Sequence, residues 1–251
     1  MDFPDALLQR IRSATRVTAL TGAGVSAESG LATFRDAQDA LWASFRPEEL
    51  ATPAAFKRNP KHVWDWYAWR RDKVREVAPN PGHFALAEIE RRVPDFLLIT
   101  QNVDGLHQRA GSTRMVELHG NISRVKCSAC DRPAENWHTS ETPPRCGRCG
   151  GYLRPDVVWF GEMLPADNWR KSNEAVQRCE VFLSVGTSSR VWPAAGLEAE
   201  ARVSGAMTIE INPNPTELTG EFEFTLRGLS GVILPALVAA AWPDGDHRGG
   251  Q

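Results

Sequence analysis

No stretch of this sequence approaches the roughly eighteen consecutive apolar residues that a membrane span needs. Met1 to Arg16 carries Asp2, Asp5 and three arginines, with no apolar core of an export signal. The expected location is therefore the cytoplasm. Neither sign of charge dominates: 29 Lys and Arg stand against 31 Asp and Glu. Without a global basic field, nucleic acid is not an expected partner. The five cysteines are an odd number in a chain expected to carry no export signal, which argues against a disulfide framework. There is no internal repeat. What remains is an ordinary globular composition, 42% hydrophobic and 24% charged, in 251 residues. That length suits one large domain, alone or with a smaller insert, and buries enough surface to fold without cross-links.

Short β-branched runs alternate with helical stretches. Val17–Leu20, Asp95–Thr100, Val181–Val185 and Met207–Ile211 read as buried strands. Each ends in polar or glycine residues: Gly22-Ala23-Gly24, Gln101-Asn102-Val103-Asp104, Gly186-Thr187-Ser188 and Asn212-Pro213-Asn214. Strands separated by helices predict an α/β fold, a Rossmann-like doubly wound parallel sheet. Ligands bind such sheets at the carboxyl ends of the strands, so the polar ends are expected to line one crevice. Residues 38–80, rich in Trp and charge, read as a helical insertion, and 121–154 as a zinc ribbon; together they would make a smaller lobe. The larger domain would then comprise 1–37, 81–120 and 155–242, with 243–251 a disordered tail.

Gly22-Ala23-Gly24-Val25-Ser26-Ala27 fits G-x-G-x-x-G/A directly after a strand. The first glycine allows a tight turn, the second a close approach to a pyrophosphate, and the small third position close helix packing. The acidic residue that a dehydrogenase carries about twenty residues later has no strand end here, since Asp39 falls in the insertion. Cys127-x2-Cys130-x15-Cys146-x2-Cys149 is the more specific pattern. Two CxxC turns complete a tetrahedron of thiolates, and four protein ligands leave no open position, so the zinc ion is expected to be structural. Cys179 stands apart and reads as a buried thiol.

The whole constellation resembles the sirtuins. Gly22 to Gly30 followed by Thr33-Phe34-Arg35-Asp36 is similar to that family's first motif, Gln101-Asn102-Val103-Asp104-Gly105-Leu106-His107 to a second, and Glu117-Leu118-His119-Gly120 to a third. The cysteines, Phe160-Gly161-Glu162, Gly186-Thr187-Ser188 and Asn212 follow in family order, from about residue 10 to 240. The resemblance implies NAD-dependent removal of acyl groups from protein lysine. The acyl oxygen attacks the ribose carbon that bears nicotinamide; the activated 2′-hydroxyl then attacks the former carbonyl carbon. The products are lysine, nicotinamide and 2′-O-acyl-ADP-ribose. It implies His119 as general base, a role that suits an imidazole near neutral pH. The other five histidines show no comparable setting. NAD is expected against Gly22, Ala23, Gly24, Ser26, Phe34, Arg35, Gln101, Asn102, Asp104, Gly186, Thr187, Ser188, Asn212, Asn214 and Ser230. The acylated peptide is expected beside Val158, Phe160, Gly161 and Glu162, added as a strand between two loops of a monomer.

The acyl group is addressed by the helix around Lys61–Val77. Val63, Tyr67, Arg70 and Val74 recur at helical spacing and share a face. A guanidinium on an apolar face needs an anion, and no acidic residue lies on that face within a turn of Arg70. A ligand carboxylate is one partner; the other reading is an amphipathic helix whose Arg70 and Arg71 both reach water. Tyr67-x-x-Arg70 resembles the sirtuin branch that removes succinyl, malonyl or glutaryl groups, whose bacterial members often also deacetylate. Two other functions stay open on sequence. One is NAD-dependent ADP-ribosylation in the same crevice. The other is a zinc-ribbon binding module, given Arg124, Lys126, Arg132, Arg145, Arg148 and Arg154 around the cysteines.

Overall fold

A computed structural model describes residues 1–31, 47–137 and 140–243. Phe34, Arg35 and Asp39, and the tail beyond Pro243, lie outside the described residues. Helix α1 (Asp5–Ser13) leads into strand β1 (Arg16–Thr21), and the glycine turn opens a short helix α2 (Ala23–Ala27). Helices α3 (Pro47–Leu50), α4 (Pro53–Arg58), α5 (Pro60–Glu76) and α6 (Pro81–Arg92) precede β2 (Asp95–Thr100). Helix α7 (Leu106–Arg109) and strands β3 (Met115–Glu117), β4 (Gly120–Cys127) and β5 (Leu153–Val157) come next. Helix α8 (Ala166–Arg178), β6 (Val181–Val185), α9 (Gly196–Val203), β7 (Met207–Asn212), β8 (Phe224–Arg227) and α10 (Ser230–Ala241) complete the order.

Three consecutive helices start for the same local reason. Each of α4, α5 and α6 has proline in its first turn, where a missing N–H costs nothing. The residue before it caps the helix: Thr52 Oγ1 accepts from Ala55 N at 3.0 Å, and Asn59 Oδ1 from His62 N at 3.1 Å. Asn80 Oδ1 accepts from Gly82 N at 2.9 Å, and His83 Nδ1 reaches back to accept from Asn80 N at 3.2 Å, closing a capping box.

The large sheet is parallel throughout, in the order β3-β2-β1-β6-β7-β8. The chain leaves β1 on one side to β2 and returns on the other to β6, so the switch point of the winding lies between β1 and β6. Alternate residues of these strands enter two cores, as a two-residue period requires. Val17, Ala19, Phe96, Leu98, Val181, Leu183 and Ile209 pack against Leu7 and Ile11 of α1, Leu86 and Ile89 of α6, and Leu234 and Leu237 of α10. On the opposite face Leu20, Ile99 and Phe182 meet Val176 of α8 and Leu197 of α9. Full burial of each such side chain contributes roughly 1.5–3 kcal/mol.

The second sheet is the antiparallel pair β4–β5. Pro155, Asp156 and Val157, read above with the larger domain, pair with β4. A proline in a two-stranded ribbon hides the strand from a propensity reading, since it is tolerated at an edge or irregularity. This ribbon packs on the helical insertion: Val63, Tyr67 and Val74 of α5 share a core with Ile122, Val157 and Trp159.

Candidate active site

The two loops at the switch point touch backbone to backbone. A Cβ on Gly22 would lie 2.8 Å from Thr187 Cα, one on Gly24 2.7 Å from the Gly186 carbonyl oxygen, and one on Gly186 2.5 Å from Val25 N. Gly186 also has φ +58°. The Gly24 N–H donates to Gly186 O at 2.8 Å. The second glycine, read from sequence as clearance for a pyrophosphate, is therefore required first by this loop-to-loop contact.

The polar strand ends converge there, as expected. Ser26 Oγ donates to Asp104 Oδ2 at 2.8 Å and accepts from Asn102 Nδ2 at 3.1 Å. Asn102 Nδ2 also donates to Gly22 O, which leaves its Oδ1 without a partner among the described residues. Gln101 Nε2 donates to Thr187 Oγ1 at 3.2 Å, and Asn212 Nδ2 to Thr187 O at 2.7 Å. Ser188 is half-buried beside them, and Asn214 is exposed, one turn beyond Asn212. Ser230 is buried at the start of α10, where its hydroxyl donates to Glu28 Oε1 at 2.8 Å. Burial raises the Asp104 carboxyl above its usual range, while Leu106 N, Ser26 and the charges of Arg70 and Arg109 draw it back.

Two histidines that sequence reasoning passed over lie beneath this site. His83 and His107 are buried with ring centroids 4.7 Å apart. Because Asn80 N–H donates to His83 Nδ1, Nε2 carries the proton, and it faces Ser26 Oγ at 3.4 Å. His107 Nε2 lies 3.0 Å from Thr21 Oγ1. Desolvation lowers His83 to about 4 and His107 to about 3. The Asn80-x-x-His83 spacing of a capping box was a legible clue to the first.

His119 stands two residues beyond β3, half-buried. Its Nδ1 lies 2.9 Å from Gln101 O. A carbonyl only accepts, so Nδ1 holds the proton and Nε2 keeps a free lone pair. Burial lowers the imidazole's pKa, and the Gln101 hydrogen bond offsets part of that. The neutral, base-competent form is thus favoured at neutral pH.

On α5, Tyr67 is buried and Arg70 half-buried. The Arg70 charge favours the ionised form of both the Tyr67 phenol and the Asp104 carboxyl. Arg71 does not reach water: it is 7% exposed, donates Nε to Ile122 O at 2.9 Å and lies over Trp64. Apolar cover from the β4–β5 ribbon, invisible in the helix pattern, accounts for this. Trp159, also missed, donates its indole N–H to the Tyr67 hydroxyl at 3.0 Å. A buried indole needs an acceptor, which is the clue its place inside Val158-Trp159-Phe160 offered. Glu162 pairs with Arg154 and accepts from Trp159 N at 2.8 Å. Val158 N donates to His119 O at 2.9 Å, while Phe160 and Gly161 are exposed.

The four sulfurs of Cys127, Cys130, Cys146 and Cys149 lie within 4.8 Å of one another. The separations 3.5 Å (Cys127–Cys149) and 4.0 Å (Cys130–Cys146) bracket the roughly 3.8 Å edge of a tetrahedron with 2.3 Å Zn–S bonds. The donor set therefore fits one closed zinc site. Cys179 is buried, its thiol pushed up to about 11 by desolvation. Of the basic residues near the ribbon, Arg124, Lys126, Arg145 and Arg154 are ion-paired with Glu117, Asp131, Glu141 and Glu162. That leaves little of the positive face a nucleic-acid module would use. Among the described residues no helix is long and apolar enough to cross a membrane.

A glycine-built contact at the switch point of a doubly wound sheet, fringed by amides, hydroxyls and the His119 imidazole, defines a nucleotide-site enzyme with a lobe whose four cysteines could hold a metal ion. The chain belongs to the Sir2 family, whose model matches residues 22–193. It is 53% identical over 220 residues to an NAD-dependent protein deacylase of Aquifex aeolicus, covering 86% of this chain and 92% of that one. It is 51% identical over 223 residues to one of Thermus thermophilus, covering 87% of each. A solved Sir2 homologue–NAD complex superposes with a TM-score of 0.90 at 46% identity, covering 96% of this chain and 95% of that one. Sir2Af2 bound to a myristoylated histone peptide superposes with 0.75 at 34%, covering 95% of each.

Proposed function

We propose that this chain is an NAD-dependent protein-lysine deacylase acting on succinyl and malonyl as well as acetyl groups, with nicotinamide and 2′-O-acyl-ADP-ribose as co-products. The observation that supports the reading is His119: Nδ1 is fixed as a donor by Gln101 O, and among the described residues Nε2 has no hydrogen-bond partner. In this role Nε2 takes the proton of the ribose 2′-hydroxyl. NAD would lie over Gly22, Ala23 and Gly24, with Ser26, Asn102 and Asp104 toward nicotinamide. Gln101, Gly186, Thr187, Ser188, Asn212, Asn214 and Ser230 would hold the ribose and adenosine side; Phe34 and Arg35 belong to the same assignment. The peptide would add its backbone beside Val158, Phe160, Gly161 and Glu162, with the Trp159 side chain turned away to Tyr67 and the Glu162 carboxylate left with Arg154. The zinc ion would fold the ribbon and take no part in chemistry. A reducing compartment such as the cytoplasm suits four thiols assembled as a metal site.

The acyl preference rests on Tyr67 and Arg70, a hydroxyl and a guanidinium on the face of α5 that also carries Val63 and Val74. Together they would hold the distal carboxylate of a succinyl chain. Arg70→Met is expected to lower kcat/KM on succinyl-lysine peptide about 100-fold or more and on acetyl-lysine peptide much less. An equal loss on both peptides would refute the carboxylate anchor.

A further inference from the structure

The Tyr67 hydroxyl has one proton to give and lone pairs to receive. One lone pair is taken by the Trp159 indole N–H at 3.0 Å. An indole N–H can only donate, so this contact has a fixed direction. Among the described residues the hydroxyl gives its own proton to no acceptor. Nor can the indole turn away: Trp159 is 2% exposed. Phe56 packs against it with centroids 5.3 Å apart, and the Arg154 guanidinium lies 3.3 Å from its ring centroid. Arg154 is itself fastened, at 2.9 Å to Glu162 Oε2 and 2.7 Å to Val157 O. The same Glu162 oxygen accepts from Trp159 N, so one carboxylate braces both the backbone and the stacked cation.

We infer that Trp159 is a specificity-determining positioning residue: by occupying the Tyr67 hydroxyl as a donor, it leaves the pocket a hydroxyl that presents its proton, and so favours acyl chains that end in an acceptor. The inference rests on the acyl-carboxylate reading above and extends it to a residue that touches no substrate. Burial pushes the Tyr67 phenol up to about 12, so the hydroxyl keeps its proton at working pH. A carboxylate uses that proton; the methyl end of an acetyl group does not.

The test is Trp159→Phe, assayed beside Tyr67→Phe and the double variant on succinyl- and acetyl-lysine peptides. Losing one oriented hydrogen bond is expected to lower succinyl kcat/KM about tenfold, mainly through KM. The acetyl reaction and the KM for NAD are expected to change less than about twofold. In the Tyr67→Phe background the Trp159 change is expected to add nothing, because the two act through one hydroxyl. If Tyr67→Phe leaves the succinyl-to-acetyl ratio untouched, the carboxylate reading itself fails. If Tyr67→Phe shifts that ratio and Trp159→Phe does not, or if the Trp159 effect persists in full without the hydroxyl, only the role of Trp159 is overturned. Benzothienylalanine in place of Trp159 keeps the ring shape and removes only the N–H. It is expected to reproduce the shift in ratio, and an unchanged ratio would overturn the inference even where Trp159→Phe misfolds.

Discussion

A single hydrogen bond decides which nitrogen of His119 is available as a base. With Nδ1 committed to Gln101 O, Nε2 is the only nitrogen able to take a proton, and burial holds the ring neutral. His119→Ala is therefore expected to lower kcat about 100-fold or more while NAD still binds. In the wild type, kcat/KM is expected to fall with acid only below the ordinary histidine pKa; an unchanged kcat in the variant would remove the base from the mechanism. His83 and His107 make a different prediction. Their folded pKa values are depressed to about 4 and about 3, from 6.5 in the unfolded chain. Between those limits the unfolded state binds more protons, so stability present above pH 6.5 is lost as pH falls. The slope approaches about 1.4 kcal/mol per pH unit for each group. The urea midpoint is expected to drop between pH 7 and pH 5, where carboxylates still titrate little; a flat midpoint would contradict the buried pair. The residue types at this scale were readable, but the pairing was not. Gln101 and His119 are neighbours only because β2 and β3 pair, and His83 meets His107 across two helices.

At the scale of elements, legibility followed how much of the cause was local. The buried strands stood out because both faces are covered and the runs are continuously β-branched or apolar. The starts of α4, α5 and α6 were written as Thr-Pro and Asn-Pro pairs. Strand β8 escaped because its residues alternate between half-buried and exposed at a sheet edge, and β5 because Pro155 interrupts it. The ribbon is the opposite case: among the described residues the cluster beside its cysteines is Val125, Cys127 and Leu153 around Trp64, with Ala134 and Trp137 partly buried against it, a small core for a lobe. Zinc is expected to supply the remainder, as structural sites do. Chelation is thus expected to expose the amides of β4 and β5 to hydrogen exchange and abolish peptide turnover, while the six-stranded sheet stays protected; added zinc should restore both. Full protection of the ribbon after complete metal removal would contradict a structural role.

Over the whole molecule, the site lies where three bodies of structure meet: the strand ends of the parallel sheet, the apolar wall of α5, and the ribbon that carries Trp159. Sequence motifs marked each contributor separately. Their convergence depended on sheet order, on the switch point between β1 and β6, and on the ribbon folding over α5. The glycines, amides and His119 could therefore be proposed from motifs, while the Trp159–Tyr67 bond and the stacking of Arg154 on Trp159, contacts that exist only across this junction, could not. Together these parts are proposed to move the acyl group of a lysine onto the ADP-ribose of NAD, releasing nicotinamide and free lysine and consuming one water. The most direct test incubates the zinc-loaded protein with succinyl-lysine peptide, with and without NAD, and weighs all products. Free lysine peptide, nicotinamide and succinyl-ADP-ribose are expected in equal amounts, with no acyl loss without NAD. Acyl loss without NAD, or ADP-ribose added to a peptide that keeps its acyl group, would contradict this reading.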